Sequence, residues 1–560
     1  MQTARGDQAS RGASRRRNRS SILLASAFAI GASALTIGCG GGSDSPATSA
    51  AAAPGAASAA KPIEQFKIGL SASEPVSSMD PSTDQTAHIV GQYFLERLTE
   101  VDADGVPQPA LAERVTQPDP KTYVYHLRRG VRFWDGAELT ADDVVYSMDH
   151  LSKPTSVSSF PWSTFKSAKA KDRYTVVVTL KQADASWPNK ISHPMAPIFQ
   201  KKFAEEHPGN LGKPGTLIMG TGPFEPKRFD PASGEVELTA NPNWWGGRVG
   251  IEKLSLNFFT KETSLALAMR SGSIDAGVGA SRAEAFQAAA GPDVEEVAFR
   301  SCSEPFLSMN VRKAPWSDVH VRRAVAYAMD HDALIKASGA RAVTPGPNPT
   351  LIATPNLETV GSREQVDALL ASIPQYEHSV EKAKAELAKS RYPDGVSADF
   401  TYYTWGPSGD VMQVLAAQLK EAGIEIRPRL VQYAAWIANE GQANLAERWP
   451  TLNYAGACSS PDPSGYAGYL GADSLQKGSY NFAAYGNDEF NGWWARGLAT
   501  SDRAERFELY SKMVTAMAED VPFLPLFLGS DQLYLRDGFA VADAGKWLPT
   551  DWPLTITAEH

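Results

Sequence analysis

The most reactive side chains of this 560-residue chain are three cysteines, Cys39, Cys302 and Cys458. They stand far apart, whereas the ligands of a zinc site cluster at short, characteristic spacings. The nine histidines (His88, His126, His150, His193, His207, His320, His331, His378 and His560) are scattered too. A directly held metal is therefore not expected. No HExxH, GxSxG or GxxxxGK[ST] pattern occurs. The usual local signals of zinc hydrolysis, of a serine nucleophile and of a phosphate-cradling loop are thus missing. Adjacent carboxylates such as Asp142-Asp143 stand where a helix begins, and capping explains them. The expectation is a chain that is not an enzyme and carries no cofactor.

The cysteines then have two jobs to divide. Residues 15–19 read Arg-Arg-Arg-Asn-Arg, and Ile22 to Leu35 carry no charge. A basic start followed by a short apolar run fits a secretory signal and is too short for a comfortable membrane span. Leu35-Thr36-Ile37-Gly38-Cys39 resembles a bacterial lipobox, although leucine there lies one position further back than usual. The resemblance implies a signal peptide over 1–38 and lipidation of Cys39; a plain cleaved signal is the alternative. Gly40 to Lys61 is rich in Gly, Ser, Ala and Pro, with one acid, Asp44, and reads as a flexible tether. If Cys39 carries lipid, Cys302 and Cys458 remain in an oxidising compartment. One disulfide between them is then the economical reading, worth about 5 kcal/mol for so long a loop. Two buried free thiols are the alternative.

The elements that position any site alternate between strand and helix patterns. Strands are expected at Ile68–Leu70, Tyr123–Leu127, Tyr174–Leu180, Val236–Leu238, Phe400–Tyr403 and from Ile424. A helix is expected over Ser82–Leu98, with Ile89, Tyr93, Phe94 and Leu98 at helical spacing. Thr140 with Asp143 reads as a capping box. Asp318 precedes an apolar face of Val321, Ala324, Val325, Ala328 and Met329. Ser379 starts another helix, and Asp410 is expected to cap a third that stops at Gly423. This alternation predicts an α/β body. The net charge is −9, although six arginines lie in the first 38 residues. So acidic a body excludes nucleic acid as a partner.

Four segments, in this order along the chain, carry a resemblance. Residues 109–149 include RFWDGAELTADDVVYSM, residues 220–246 begin GTGPF and end NPNWWG, residues 271–275 read SGSID, and residues 309–335 include NVRKAPWSDVHVRRAVAYAMD. Together they resemble the bacterial extracellular solute-binding proteins of family 5, the dipeptide, oligopeptide and nickel type. By themselves Phe133-Trp134-Asp135-Gly136 and Gly220-Thr221-Gly222-Pro223 read as strand-and-turn scaffold.

The resemblance implies a two-lobed periplasmic-binding-protein fold (cluster C, class II type) with an inserted domain and a discontinuous first lobe. The lobes map to 62–107 plus 216–300 plus 521–560, and to 301–520, with the insert at 108–215. It further implies a monomeric binding protein of an ABC importer, periplasmic or at the cell surface, tied to the membrane through Cys39. Its partners would be a peptide or other small solute and the permease subunits. Ala455 to Pro463 resembles the family's cleft loop, which brings Ser459 and Asp462 to the ligand. Peptide-binding members carry an aspartate where this chain has Ser459, and a neutral serine does not offset the desolvation of an ammonium group. A sugar, an opine, a metal chelate or a role as ligand-sensing adaptor is the alternative to peptide import. The resemblance also places Cys302 and Cys458 at a disulfide, and Tyr403, Trp405 and Trp436 at the pocket. Glu304 and Glu74 are the acids available to a cationic ligand group; Asn481 and Tyr485 are weaker candidates.

Overall fold

The computed structural model describes residues 62–71, 76–84, 86–158, 160–279, 283–301, 304–339, 344–345, 350–403, 407–440, 444–453, 461–475, 480–548 and 550–559. Three sheets organise them. The first has seven strands in the order Val294–Arg300, Ser530–Arg536, Ala276–Val278, Ile63–Ser71, Ile251–Phe259, Glu235–Ala240, Phe224–Asp230. Ile63–Ser71 lies at its centre, parallel to both of its neighbours. Phe66 and Ile68 on one face of that strand and Gly69 on the other are buried, as a central parallel strand covered on both faces requires.

The second sheet has five strands, in the order Ile424–Val431, Val396–Tyr403, Thr451–Asn453, Phe306–Ser308, Phe523–Pro525. Val396–Tyr403 and Ile424–Val431 run parallel and are joined through the helix Ser408–Glu421. Both faces of this sheet are packed. Leu307 joins one apolar core with Val321, Leu415 and Leu452, while its neighbour Phe306 joins another with Tyr466, Tyr469 and Tyr510. That split follows from the two-residue period of a strand. The third sheet is a four-stranded antiparallel one, Ala112–Asp119, Thr122–Leu127, Thr175–Leu180, Phe165–Asp172, against which the helix Ala141–Leu151 packs.

The chain leaves the first sheet at Arg300 and enters the second at Phe306. It returns after Phe527–Leu528, entering the first sheet again at Ser530. Phe523–Pro525 pairs with Phe306–Ser308, within the second sheet.

Local signals explain most helix starts. Asp318 accepts from the His320 amide at 2.9 Å, and Ser379 accepts from the Lys382 amide at 3.1 Å. The Thr140 amide donates to Asp143 at 3.0 Å, the reciprocal half of a capping box. Two expectations need correction. The helix expected over Ser82–Leu98 is confined to Ala87–Gly91. Beyond it the chain turns, so that Phe94 lies against Gly222, where a Cβ would stand 2.8 Å from the Phe94 carbonyl carbon. Asp410 is also not a cap: the helix begins two residues earlier, at Ser408, and Asp410 lies in its first turn. There its charge still complements the helix dipole. Among the described residues no helix is long and apolar enough to cross a membrane.

Candidate functional site

Glu304 stands two residues before Phe306, on the segment that leads into the strand Phe306–Ser308. The residue is only 4% exposed, and its Oε1 has no hydrogen-bond partner. Burial pushes this carboxyl well above the ordinary carboxylate range, and no opposite charge pulls it back. The group coupled to it is Tyr466, whose hydroxyl is raised first by burial and then by the Glu304 charge. That hydroxyl accepts from the Ala353 amide at 3.0 Å and donates to Asn356 Oδ1 at 3.3 Å. Asn356 in turn donates to the Pro461 carbonyl at 2.9 Å. The Tyr466 hydroxyl near the carboxyl is thus held by hydrogen bonds of its own.

The raised Glu304 has a consequence for stability. The folded chain holds this proton more tightly than the unfolded chain does. The stability gained from that proton is present below the unfolded value, near 4.5, and is lost as pH rises through the folded value. Urea midpoints of the wild type and of Glu304→Gln, measured from pH 5 to 8, should therefore diverge in favour of the variant as pH rises. Parallel curves would contradict the assignment.

From Phe306 a row of rings runs across the sheet. Phe306 meets Tyr469 edge-on at 5.4 Å, Tyr469 stacks on Tyr480 at 5.6 Å, and Tyr480 lies 6.4 Å from Trp436. Trp436 packs on Tyr403 at 4.6 Å and on Phe482 at 4.7 Å. The sequence-expected Tyr403 and Trp436 are therefore brought together, but both are buried. The Trp436 indole donates to Thr451 Oγ1 at 2.8 Å, and Asn453 donates to the Tyr469 hydroxyl at 3.0 Å. Tyr480 is the half-buried ring of the row. Such a wall offers large apolar area with hydroxyl handles, the usual lining of a small-molecule pocket.

Asp462 does a different task. Its two oxygens pair with Arg506 at 2.8 Å each, and it caps the turn Pro463–Tyr466 by accepting from the Ser464 amide at 2.9 Å. It positions the turn that carries Tyr466. Asn481 is spent in the same way, donating to Ser474 Oγ at 2.9 Å and to the Tyr485 carbonyl at 2.8 Å. The Tyr485 hydroxyl donates to Asp520 at 2.9 Å. Glu74, Trp405, Ser459, Cys39, Cys302 and Cys458 lie outside the described residues. Tyr466, Tyr469 and Tyr480 were missed in the sequence reading. A tyrosine pair three residues apart after Asp462-Pro463 was the available signal for the first two. Arg506 gives no local signal, since its partner lies 44 residues away. Among the described residues no group of three or more His, Cys, Asp or Glu could hold a metal.

Other contacts join segments that flank the first and third sheets to segments that flank the second. The Ala185 amide donates to the Leu498 carbonyl at 2.5 Å. Gly105, at φ +84°, lies where a Cβ would stand 3.1 Å from Pro461 Cβ and 2.8 Å from Trp547 Nε1. Arg300 pairs with Glu358 at 3.2 Å.

Comparison with known proteins gives three kinds of match. Residues 106–474 match the model for bacterial extracellular solute-binding proteins, family 5 Middle. Heme-binding protein A of Haemophilus influenzae is 26% identical over 470 residues, 78% of this chain and 81% of that protein. Glutathione-binding protein GsiB of Salmonella choleraesuis is 26% identical over 462 residues, 80% of this chain and 86% of that protein. Among solved structures, the periplasmic binding protein DppA from Helicobacter pylori, in complex with the peptide STSA, superposes with a TM-score of 0.71. It is 22% identical and covers 89% of this chain and 99% of its own, a likeness of fold.

Proposed function

The chain belongs to the bacterial extracellular solute-binding proteins of family 5, and from that premise we propose that it captures a small solute between two lobes and delivers it to the permease of an ABC importer. The observation that carries this reading is the double passage of the chain between two separate sheets, at Arg300 to Phe306 and at Leu528 to Ser530. Two short connections side by side allow the sheets to hinge about one line. Open and closed forms exchange, and the solute favours the closed one by its differential affinity. Closure expels water and strengthens each polar contact inside. In this reading the chain catalyses nothing, and ATP is hydrolysed by the importer's other subunits.

The solute is peptide or peptide-like. It would lie against Tyr480 and the ring row, beside Glu304 and the turn positioned by Asp462. The neutral Ser459 favours, as a second reading, a non-peptide solute. The first sheet with Ile63–Ser71 would be the core of lobe I, the antiparallel sheet that of the inserted domain, and the second sheet that of lobe II. Residues 1–38 would be removed as a signal, Cys39 lipidated, and Cys302 joined to Cys458, leaving a monomeric lipoprotein at the outer face of the membrane.

The test is a melting experiment on the purified protein, stripped of co-purified solute by denaturation and refolding on a column. The panel is dipeptides, tetrapeptides, N-blocked peptides, glutathione, sugars, opines and nickel chelates. A solute at 100 times its dissociation constant stabilises by about 2.7 kcal/mol, a clear upshift. A shift with peptides supports the peptide reading, and a shift with another class alone supports the second. No shift across the whole panel would count against solute capture.

A further inference from the structure

The buried carboxylates of this molecule provide their own comparison. Asp80, Glu96, Asp143, Asp184, Glu304 and Asp462 are all buried. Asp184 pairs with Lys190 at 2.8 Å, and Asp462 pairs with Arg506. Glu96 accepts from Thr221, Trp244 and Trp245. Asp143 accepts from the Lys201 amide, and Asp80 from the Ser82 amide. Glu304 alone among these has a fully buried oxygen with nothing to bond. A buried carboxyl without a partner is a cost that core packing does not require. An apolar residue of similar length would fill the same space without that cost.

Its place in the fold narrows the meaning. Glu304 lies on the segment that leads from the first sheet into the second, two residues before Phe306. The ring row begins at Phe306, and the Tyr466 hydroxyl near the carboxyl has its own hydrogen bonds, from the Ala353 amide and to Asn356, already made. A buried carboxyl near a fixed hydroxyl, on the connection between lobes and two residues from the start of the ring row, is a preorganised acceptor for a positive charge.

We infer that Glu304 is the anchor for a cationic group of the solute, a protonated amine or a guanidinium carried on a body that packs against the ring row. This rests on the solute-binding reading and adds the chemical class of its ligand. The positive group supplies the partner that the empty protein lacks, so occupation and the docking of the two lobes are tied at one residue.

Matched pairs of probes test it: tetraalanine and N-acetyltetraalanine, glutathione and N-acetylglutathione, Nα-acetylarginine amide and Nα-acetylcitrulline amide. Each pair differs in one positive group. With stripped wild-type protein, at least one pair should shift the melt through its cationic member only. Glu304→Gln keeps the side chain's size and should weaken that member roughly 100-fold, as expected for one lost partner of a buried charge pair. Without any probe, Glu304→Gln should melt at or above the wild type. A lower melt in the empty variant would make the carboxyl structural and overturn the inference. So would equal binding of the two members of every pair that binds, or unchanged affinity in the variant, while leaving solute capture standing. Silence of the wild type with the whole wider panel as well would remove solute capture itself, and the inference with it.

Discussion

Asp462→Ala is expected to lower the unfolding free energy by about 3–5 kcal/mol, measured by urea titration. The reason lies in what it leaves behind. Arg506 is buried, and both Asp462 oxygens face its guanidinium at 2.8 Å. Removing the acid strands that charge and also removes the cap of the turn Pro463–Tyr466. The remaining partners of Arg506, the Gly497 carbonyl and the Tyr510 hydroxyl, are neutral. The pair Asp462→Leu with Arg506→Met should cost less than either single change, because no buried charge is left uncompensated. A double variant as unstable as the sum of the two singles would contradict this account. Since the turn carries Tyr466, the single variant should also weaken any solute found by the melting panel.

The second large effect is at Glu96. One oxygen accepts from Thr221 Oγ1 at 2.6 Å, and the other from the Trp244 and Trp245 indoles at 3.0 and 2.8 Å. A single carboxyl thereby gathers the turn around Gly222 and the Trp244-Trp245 pair onto the segment after Ala87–Gly91. Glu96→Ala orphans three donors, each at about 1–3 kcal/mol, so a loss of about 3 kcal/mol or more is expected. Glu96→Gln keeps an acceptor and should lose clearly less. If both variants unfold at the wild-type urea concentration, the carboxyl is not the organising group described.

Individual residues show where the sequence was legible. Asp318, Ser379 and the Thr140–Asp143 box act within three residues, and their hydrogen bonds are where the spacing put them. The expected helix at Ser82–Leu98 failed because its apolar residues answer to tertiary packing. Val90, Tyr93, Phe94, Leu95 and Leu98 are all buried, on a chain that turns after Gly91. Helical spacing was present, but close approach to Gly222 overrode it. At the site, Tyr403 and Trp436 could be named from the resemblance, yet their mutual packing could not. Glu304 could be named as an acid, but a missing partner is a property of space and not of spacing. Arg506 joins Asp462 across 44 residues, and no local pattern announces such a pair.

The central claim is that the solute lies between the two lobes. Hydrogen–deuterium exchange, with and without the panel member that raises the melt most, tests it directly. The account predicts simultaneous slowing on both sides: near Gly105 and Ala185 on one, and over Pro463–Tyr466 and near Leu498 on the other. Slowing confined to the segments around one sheet, with the other side unchanged, would contradict capture between lobes.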